Sequence, residues 1–205
     1  MIEKPISSNL ITLGLLTNDG REVTVRHIRP EDGKLLAAMF WHLSSETRWR
    51  RFHVPLDHID SDRVNHEAHR LAAIDHQREV ALIALAKEAQ QPISVAVARF
   101  ARATPDETSA EASIVVRDDY QGAGLGAQLF DLLVQVAIAQ GLRHLILLTH
   151  ADNLGVIHMI RRLGIPYERN FSAGLYEIDL QLSDDQHPLF PYTHPEPPPG
   201  KNERK

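Results

Sequence analysis

The sequence predicts an α/β domain, and three observations carry that expectation. Short apolar runs of strand character alternate along the chain with segments of helical period. One such pair, Ala112–Val116 and Leu125–Ile138, is joined by a turn with three glycines, Gln121-Gly122-Ala123-Gly124-Leu125-Gly126. Further on, Leu145–Leu148 is unbroken apolar, as a central strand covered on both faces would be.

The elements follow in order. Leu10–Thr17 and Glu22–Arg29 alternate loosely around Asn18-Asp19-Gly20, and Asp-Gly between such runs signals a hairpin. Pro30-Glu31-Asp32 starts a helix, since proline fits a first turn and acids suit the positive end of the helix dipole. Leu35, Leu36, Met39 and Phe40 form its apolar face. Shorter helical stretches lie near Ser45–Phe52 and Ser61–Ala73. Val80–Ala86 and Ile93–Ala101 read as strands separated by a polar turn, Lys87–Pro92, and a loop from Arg102 to Ala110 leads into the strand holding Glu111. In the helix after the glycines, Gln128, Asp131 and Gln135 make a polar stripe, while Leu125, Leu129, Leu132, Leu133, Val136 and Ala137 predict burial against a sheet. Asn153 opens a helix with Val156, Ile157, Ile160 and Leu163 on one face. Tyr167–Phe171 and Leu175–Leu182 supply the last two strands. From Ser183 to Lys205 proline is dense and periodicity is lost, which predicts a mostly disordered tail, with Phe190 and Tyr192 as candidates for local docking.

Composition narrows the function classes. The 205 residues suit one domain, with no internal repeat. No apolar run reaches the ~18 residues of a membrane span, and no signal-peptide pattern opens the chain, so a cytoplasmic location is expected. Cysteine is absent, which excludes disulfides, thiolate metal sites and a cysteine nucleophile. A formal net charge of -5 argues against general nucleic-acid binding. Oligomeric state is not encoded legibly.

The glycine turn carries the chemistry. Glycines let the backbone bend tightly and approach a ligand with no Cβ in the way. Amides of the turn and of the following helix start then suit a pyrophosphate. No Lys followed by Ser or Thr is present, so a nucleotide-hydrolysing loop is disfavoured. The spacing Gly122-x-Gly124-x-Gly126 is one residue short of the dinucleotide fingerprint, and no acidic residue ends the next strand.

Gln121-x-x-Gly124-x-Gly126 resembles the Q/R-x-x-G-x-G/A acetyl-CoA signature of the GNAT N-acetyltransferase superfamily. Asn153 through Gly164 is similar to that superfamily's asparagine-to-glycine segment. Upstream, Ile28-Arg29-Pro30-Glu31-Asp32, Leu43-Ser44-Ser45-Glu46-Thr47-Arg48 with Arg51-Phe52, and Ile74-Asp75 with Arg78-Glu79-Val80-Ala81-Leu82 resemble the GNAT domain of bacterial Pat-type protein lysine acetyltransferases. The likeness spans about residues 21 to 182, making 1–182 the expected domain and 183–205 its tail. It implies a mixed, mostly antiparallel sheet flanked by helices, whose two central parallel strands splay to admit the pantetheine arm.

The resemblance further implies acetyl-CoA as co-substrate and no metal. Main-chain groups of Ile114, Val115 and Val116 would pair with pantetheine, and one of their N–H groups would face the thioester oxygen. Gln121, Gly122, Ala123, Gly124, Leu125, Gly126 and Ala127 would hold the pyrophosphate, and Asn153 would act near the coenzyme or simply cap its helix. Glu111 is the candidate general base, working through water, with partial burial expected to raise its pKa. Glu107 and Asp106 are the nearest alternatives. The superfamily's thiolate-protonating tyrosine has no counterpart in His158-Met159-Ile160-Arg161. His66-Glu67-Ala68-His69 lacks zinc-protease spacing and reads as a solvated helix face. Arg48, Trp49, Arg50, Arg51 and Phe52 form a basic-aromatic cluster read chiefly as structural. The acceptor implied by Pat-like segments is a protein lysine. The rivals are a small-molecule amine acetyltransferase and a non-catalytic acyl-CoA-binding regulator.

Overall fold

The computed structural model describes residues 12–104, 107–186 and 188–190. Strands β1 (Thr12–Leu16) and β2 (Glu22–His27) form the N-terminal hairpin. The proline-led turn Pro30–Asp32 is 3-10 and runs directly into helix α1 (Gly33–Trp41). Helices α2 (Ser45–Phe52) and α3 (Ser61–Ala72) follow, each opened by a side-chain cap, Ser44 and Asp60. Next come β3 (Glu79–Glu88), β4 (Gln91–Ala101), β5 (Ser109–Val116), α4 (Leu125–Ala139), β6 (His144–His150), α5 (Leu154–Leu163), β7 (Tyr167–Ser172) and β8 (Leu175–Gln181).

The eight strands form one sheet in the order β1-β2-β3-β4-β5-β6-β8-β7. Every neighbouring pair is antiparallel except β5 and β6. The mixed, mostly antiparallel sheet expected from the sequence is thus the observed one. The parallel ladder is short: it runs from Ser109↔His144 to Ala112↔Leu147, although β5 continues to Val116 and β6 to His150. The two central strands therefore part company over their C-terminal ends.

The sheet faces are unequally filled. On one face α4 buries Leu129, Phe130, Leu132 and Leu133 completely against Leu82, Ala98, Phe100 and Leu145. On the other, α1 and α3 pack through two small clusters, Ile28–Ala72–Ala81 and Ala37–Val64–Ala68, while no residue of α2 is fully buried. The polar stripe expected on α4 is not solvated: Gln128 and Asp131 are buried. Gln128 Nε2 donates to the Leu16 carbonyl at 3.1 Å, and Asp131 accepts the Leu189 amide at 2.9 Å. The first part of the expected tail is therefore tied to the domain. Arg143 pairs with Asp184 at 2.7 Å, and Arg162 lies 5.1 Å from the Phe190 ring centre. Tyr192 falls outside the described residues.

Candidate functional site

A groove of about 420 Å³ opens where β5 and β6 separate. Ile114, Val115 and Val116 form one wall, Gln121, Gly122, Gly124, Gly126 and Ala127 another, and Asn153 with Val156 and Met159 a third. The sequence-predicted coenzyme residues thus converge on one cleft, with two exceptions. The side chains of Ala123 and Leu125 are buried beneath the turn, so these residues offer main chain only. Gly122 (φ +73°) and Gly124 (φ +80°) both occupy the left-handed region that penalises a Cβ. Gly124 is the N-cap of α4, supplies no capping side chain, and is followed by no acid in the first turn. The helix therefore begins at the groove with its positive end uncompensated.

The turn is held from outside by groups that sequence reading did not single out. At the tip of the β1–β2 hairpin, the Asn18 amide donates to the Ala123 carbonyl at 2.8 Å. Arg21 donates to the Asp119 carbonyl at 3.0 Å and lies 3.7 Å from the Tyr120 ring centre. Asp118 accepts from the Ser44 amide (2.9 Å), the Ser44 hydroxyl (2.6 Å) and the Thr47 hydroxyl (2.8 Å). Partial burial alone would raise the Asp118 pKa, but these donors outweigh it and hold the carboxyl below its ordinary range. Gln121 spends its side-chain amide on the Val116 carbonyl (3.0 Å) and Thr47 Oγ1 (3.2 Å), so it shapes the turn. The hairpin signal at Asn18-Asp19-Gly20 was legible, but nothing local says that its tip reaches residue 123.

Arg50, Arg51, Arg162 and His158 line the groove, and no aspartate or glutamate does. A chain of net charge -5 thus presents a cationic cleft. Arg50 pairs with Glu46 at 2.6 Å, leaving that cation partly neutralised. Asn153 both caps α5, accepting the Val156 amide at 3.3 Å, and borders the groove. His158 is exposed and borders the groove, where the family tyrosine would be expected. Arg48 serves structure: it donates to the Phe40 carbonyl at 3.2 Å and lies over the Phe40 ring at 4.7 Å.

Glu111 is the third residue of β5, in register with Ala101 on β4 and Ile146 on β6. It is exposed rather than partly buried as the sequence suggested. It does not line the groove. Strand alternation puts Glu111, Ser113 and Val115 on the α1–α3 face, opposite Ala112, Ile114 and Val116 on the α4 face. Of the alternatives, Glu107 accepts the Ala103 amide at 3.1 Å, and Asp106 lies outside the described residues.

On that same α1–α3 face lies a second cavity of about 410 Å³. Its walls are mainly apolar, with Met39, Phe40, Leu43, Phe52 and Leu71 among them, and Val97, Arg99 and Val115 belong to its sheet side. Arg51 and Val115 line both cavities and so mark their junction. Arg51, read with the basic-aromatic cluster as structural, has no hydrogen bond or ion pair among the described residues, only the Phe52 ring at 5.2 Å. Burial, and secondarily the charge of Arg99, pull its pKa down to about 10. Sequence reading missed this cavity because its wall is assembled from several separate segments.

Among the described residues, no group of three or more His, Asp or Glu is placed to hold a metal, and no helix is long and apolar enough to cross a membrane. Residues 36–165 match the family model described as acetyltransferase (GNAT) family. The chain is similar to an acetyltransferase of Pseudomonas aeruginosa, 31% identical over 153 residues that span 75% of this chain and 80% of that protein. Among solved structures, the GNAT domain of S. lividans PAT superposes with a TM-score of 0.70 at 24% identity, over 83% of this chain and 97% of that one. YncA from Salmonella typhimurium, solved with its cofactor acetyl-CoA, has a TM-score of 0.56 at 18% identity, over 81% and 97%.

Proposed function

Because the chain belongs to the acetyltransferase (GNAT) family, we propose that it moves the acetyl group of acetyl-CoA onto a primary amine by direct attack, with Glu111 as general base. The observation that carries this reading is the acid-free cleft between β5 and β6, bordered by the uncapped start of α4 and by Arg50, Arg51 and Arg162. A coenzyme rich in phosphate fits both its charge and its exposed amides. The pantetheine arm would run along Ile114–Val116, where β5 has left its ladder and main-chain groups are available for an added strand.

In this mechanism the neutral amine nitrogen attacks the thioester carbonyl carbon. A main-chain N–H of β5 steadies the oxyanion, the C–S bond breaks, and coenzyme A leaves as thiolate to be protonated by water. Glu111 stands four residues before Val115 on the same strand face, about 13 Å along the chain at ~3.3 Å per residue. That separation rules out direct contact and requires more than one water between carboxylate and amine, and the exposure of Glu111 leaves room for such a chain. The likeness to Pat suggests a protein lysine as acceptor. The apolar cavity at Val115 favours a second reading, a small amine whose body fills it.

The test pairs two measurements on wild type and Glu111→Gln. Acetyl-CoA is expected to stabilise both proteins, by about 2.7 kcal/mol at a hundredfold excess over Kd. Thiol release on an amine and peptide panel is expected to fall by about 10²–10⁴ in the variant. Equal turnover by the two removes Glu111 as base, and stabilisation without turnover on any amine turns the reading to a coenzyme-binding regulator.

A further inference from the structure

We propose that the cavity under α1–α3 is the acceptor pocket and that it selects a small amine bearing both a carboxylate and an apolar side chain, with Arg51 gripping the carboxylate. This rests on the acetyltransferase reading above and names its substrate class.

Three observations meet at this point. First, the two cavities share Arg51 and Val115, so an acceptor held in one reaches a thioester held along the other. Second, the charge of the apolar cavity is unbalanced. Its lining includes Arg51, Arg63, Arg70 and Arg99 against Glu67. Glu67 is taken by Arg70 at 2.8 Å, and Arg99 is taken by Glu79. Arg51 is left at the junction with no anion among the described residues. A cation partly withdrawn from water without a partner is unfavourable, and its environment has already made its proton easier to lose. An incoming carboxylate removes that penalty. Third, the remaining walls, Leu36, Met39, Phe40, Leu43, Phe52 and Leu71, are apolar, and the volume lies in the range of small-molecule sites.

The shape follows from these placements. Arg51 and Val115 both line the junction of the two cavities, which calls for a ligand whose anion and nucleophilic nitrogen are close together. An α-amino acid has that spacing, with one carbon between them. Its side chain then points away from the thioester, into the apolar walls. A lysine within a protein offers no carboxylate beside its amine and leaves Arg51 unsatisfied. A long acyl chain entering from the coenzyme side would have to pass the guanidinium, which argues against the cavity as an acyl pocket.

The experiment measures thiol release from acetyl-CoA with leucine, methionine and phenylalanine, each compared with its own amide, with its decarboxylated amine and with a lysine-containing peptide. Wild type is expected to favour each free acid over its amide by about a hundredfold in kcat/KM, chiefly through KM. In Arg51→Met the ratio of acid to amide is expected to collapse toward one, and Arg51→Lys to recover part of it. The ratio is internal to each protein, so a general loss of folding does not mimic the result. Turnover of amides, amines or peptide equal to that of the acids overturns the proposal while leaving the acetyltransferase reading intact. So does a preference for octanoyl-CoA over acetyl-CoA that Arg51→Met leaves in place. Absence of thiol release on every acceptor, with acetyl-CoA still raising Tm, defeats the underlying reading and the proposal with it.

Discussion

Replacing Gly124 by alanine separates two costs that meet in the turn. At φ +80° a Cβ adds the left-handed penalty of roughly 1–2 kcal/mol. It would also sit 2.8 Å from Asn18 Nδ2 and 3.0 Å from Asn18 Cγ, so the exposed Asn18 side chain must swing aside. Because that side chain is free to rotate, the added cost is about 1 kcal/mol at most, below the roughly 1–3 kcal/mol of overpacking a core. Gly122 is the control: its φ is +73°, but a Cβ there meets nothing within 4 Å. Gly122→Ala is therefore expected to lose about 1–2 kcal/mol and Gly124→Ala about 1–3 kcal/mol. At ~2–4 °C per kcal/mol for a chain of this size, thermal melts resolve the difference. Adding Asn18→Ala should recover the excess in Gly124→Ala while doing nothing for Gly122→Ala. Titration calorimetry with acetyl-CoA should show the same order of weakening. Equal losses at the two glycines, or no rescue by Asn18→Ala, would refute the idea that the Asn18 side chain crowds the turn.

Other outcomes follow from burial and charge. Leu129, fully buried between α4 and the sheet, should cost about 2–5 kcal/mol as Leu129→Ala in chemical denaturation. Asp118 has a depressed folded pKa, so its contribution to stability is present above the usual carboxylate pKa of about 3.9 and is lost as pH falls through the lower folded value. Asp118→Asn should accordingly melt below wild type at neutral pH, with the gap narrowing in melts taken from pH 5 down to pH 2. Arg162→Met should weaken acetyl-CoA binding several-fold, by about 1 kcal/mol, and flatten the dependence of Kd on salt, whereas an unaltered salt dependence would place the phosphates elsewhere.

Legibility of the sequence varied with the range of the interactions involved. The glycine turn could be read because its needs are local: positive φ at Gly122 and Gly124, a strand before, an apolar helix after. The β3–β4 connection could not. A six-residue polar turn was expected, but the strands run on to Glu88 and Gln91 and close through Ala89 and Gln90, both at positive φ without being glycine. The stripe Gln128–Asp131 looked solvent-facing for a related reason. Its partners, Leu16 and Leu189, lie 112 and 58 residues away in sequence, and no period along α4 announces them. Glu111 was located on its strand correctly, but its exposure depends on which elements cover that face of β5, which strand alternation alone does not tell. Arg51 was grouped with Arg48 as structural. Only the packing of α2 across the ends of β5 and β6 separates the cation that stacks on aromatic rings from the one left facing two cavities.

Four residue pairs are all that join β5 to β6 directly, so the five-stranded and three-stranded halves of the sheet meet along a short spine. Any molecule that lodges in the fork beyond Ala112 and Leu147 acts as a splint between those halves. Occupancy then reinforces the α4 core that already spans both halves, and a variant that loosens its cargo will lose part of its resistance to unfolding wherever that cargo is scarce.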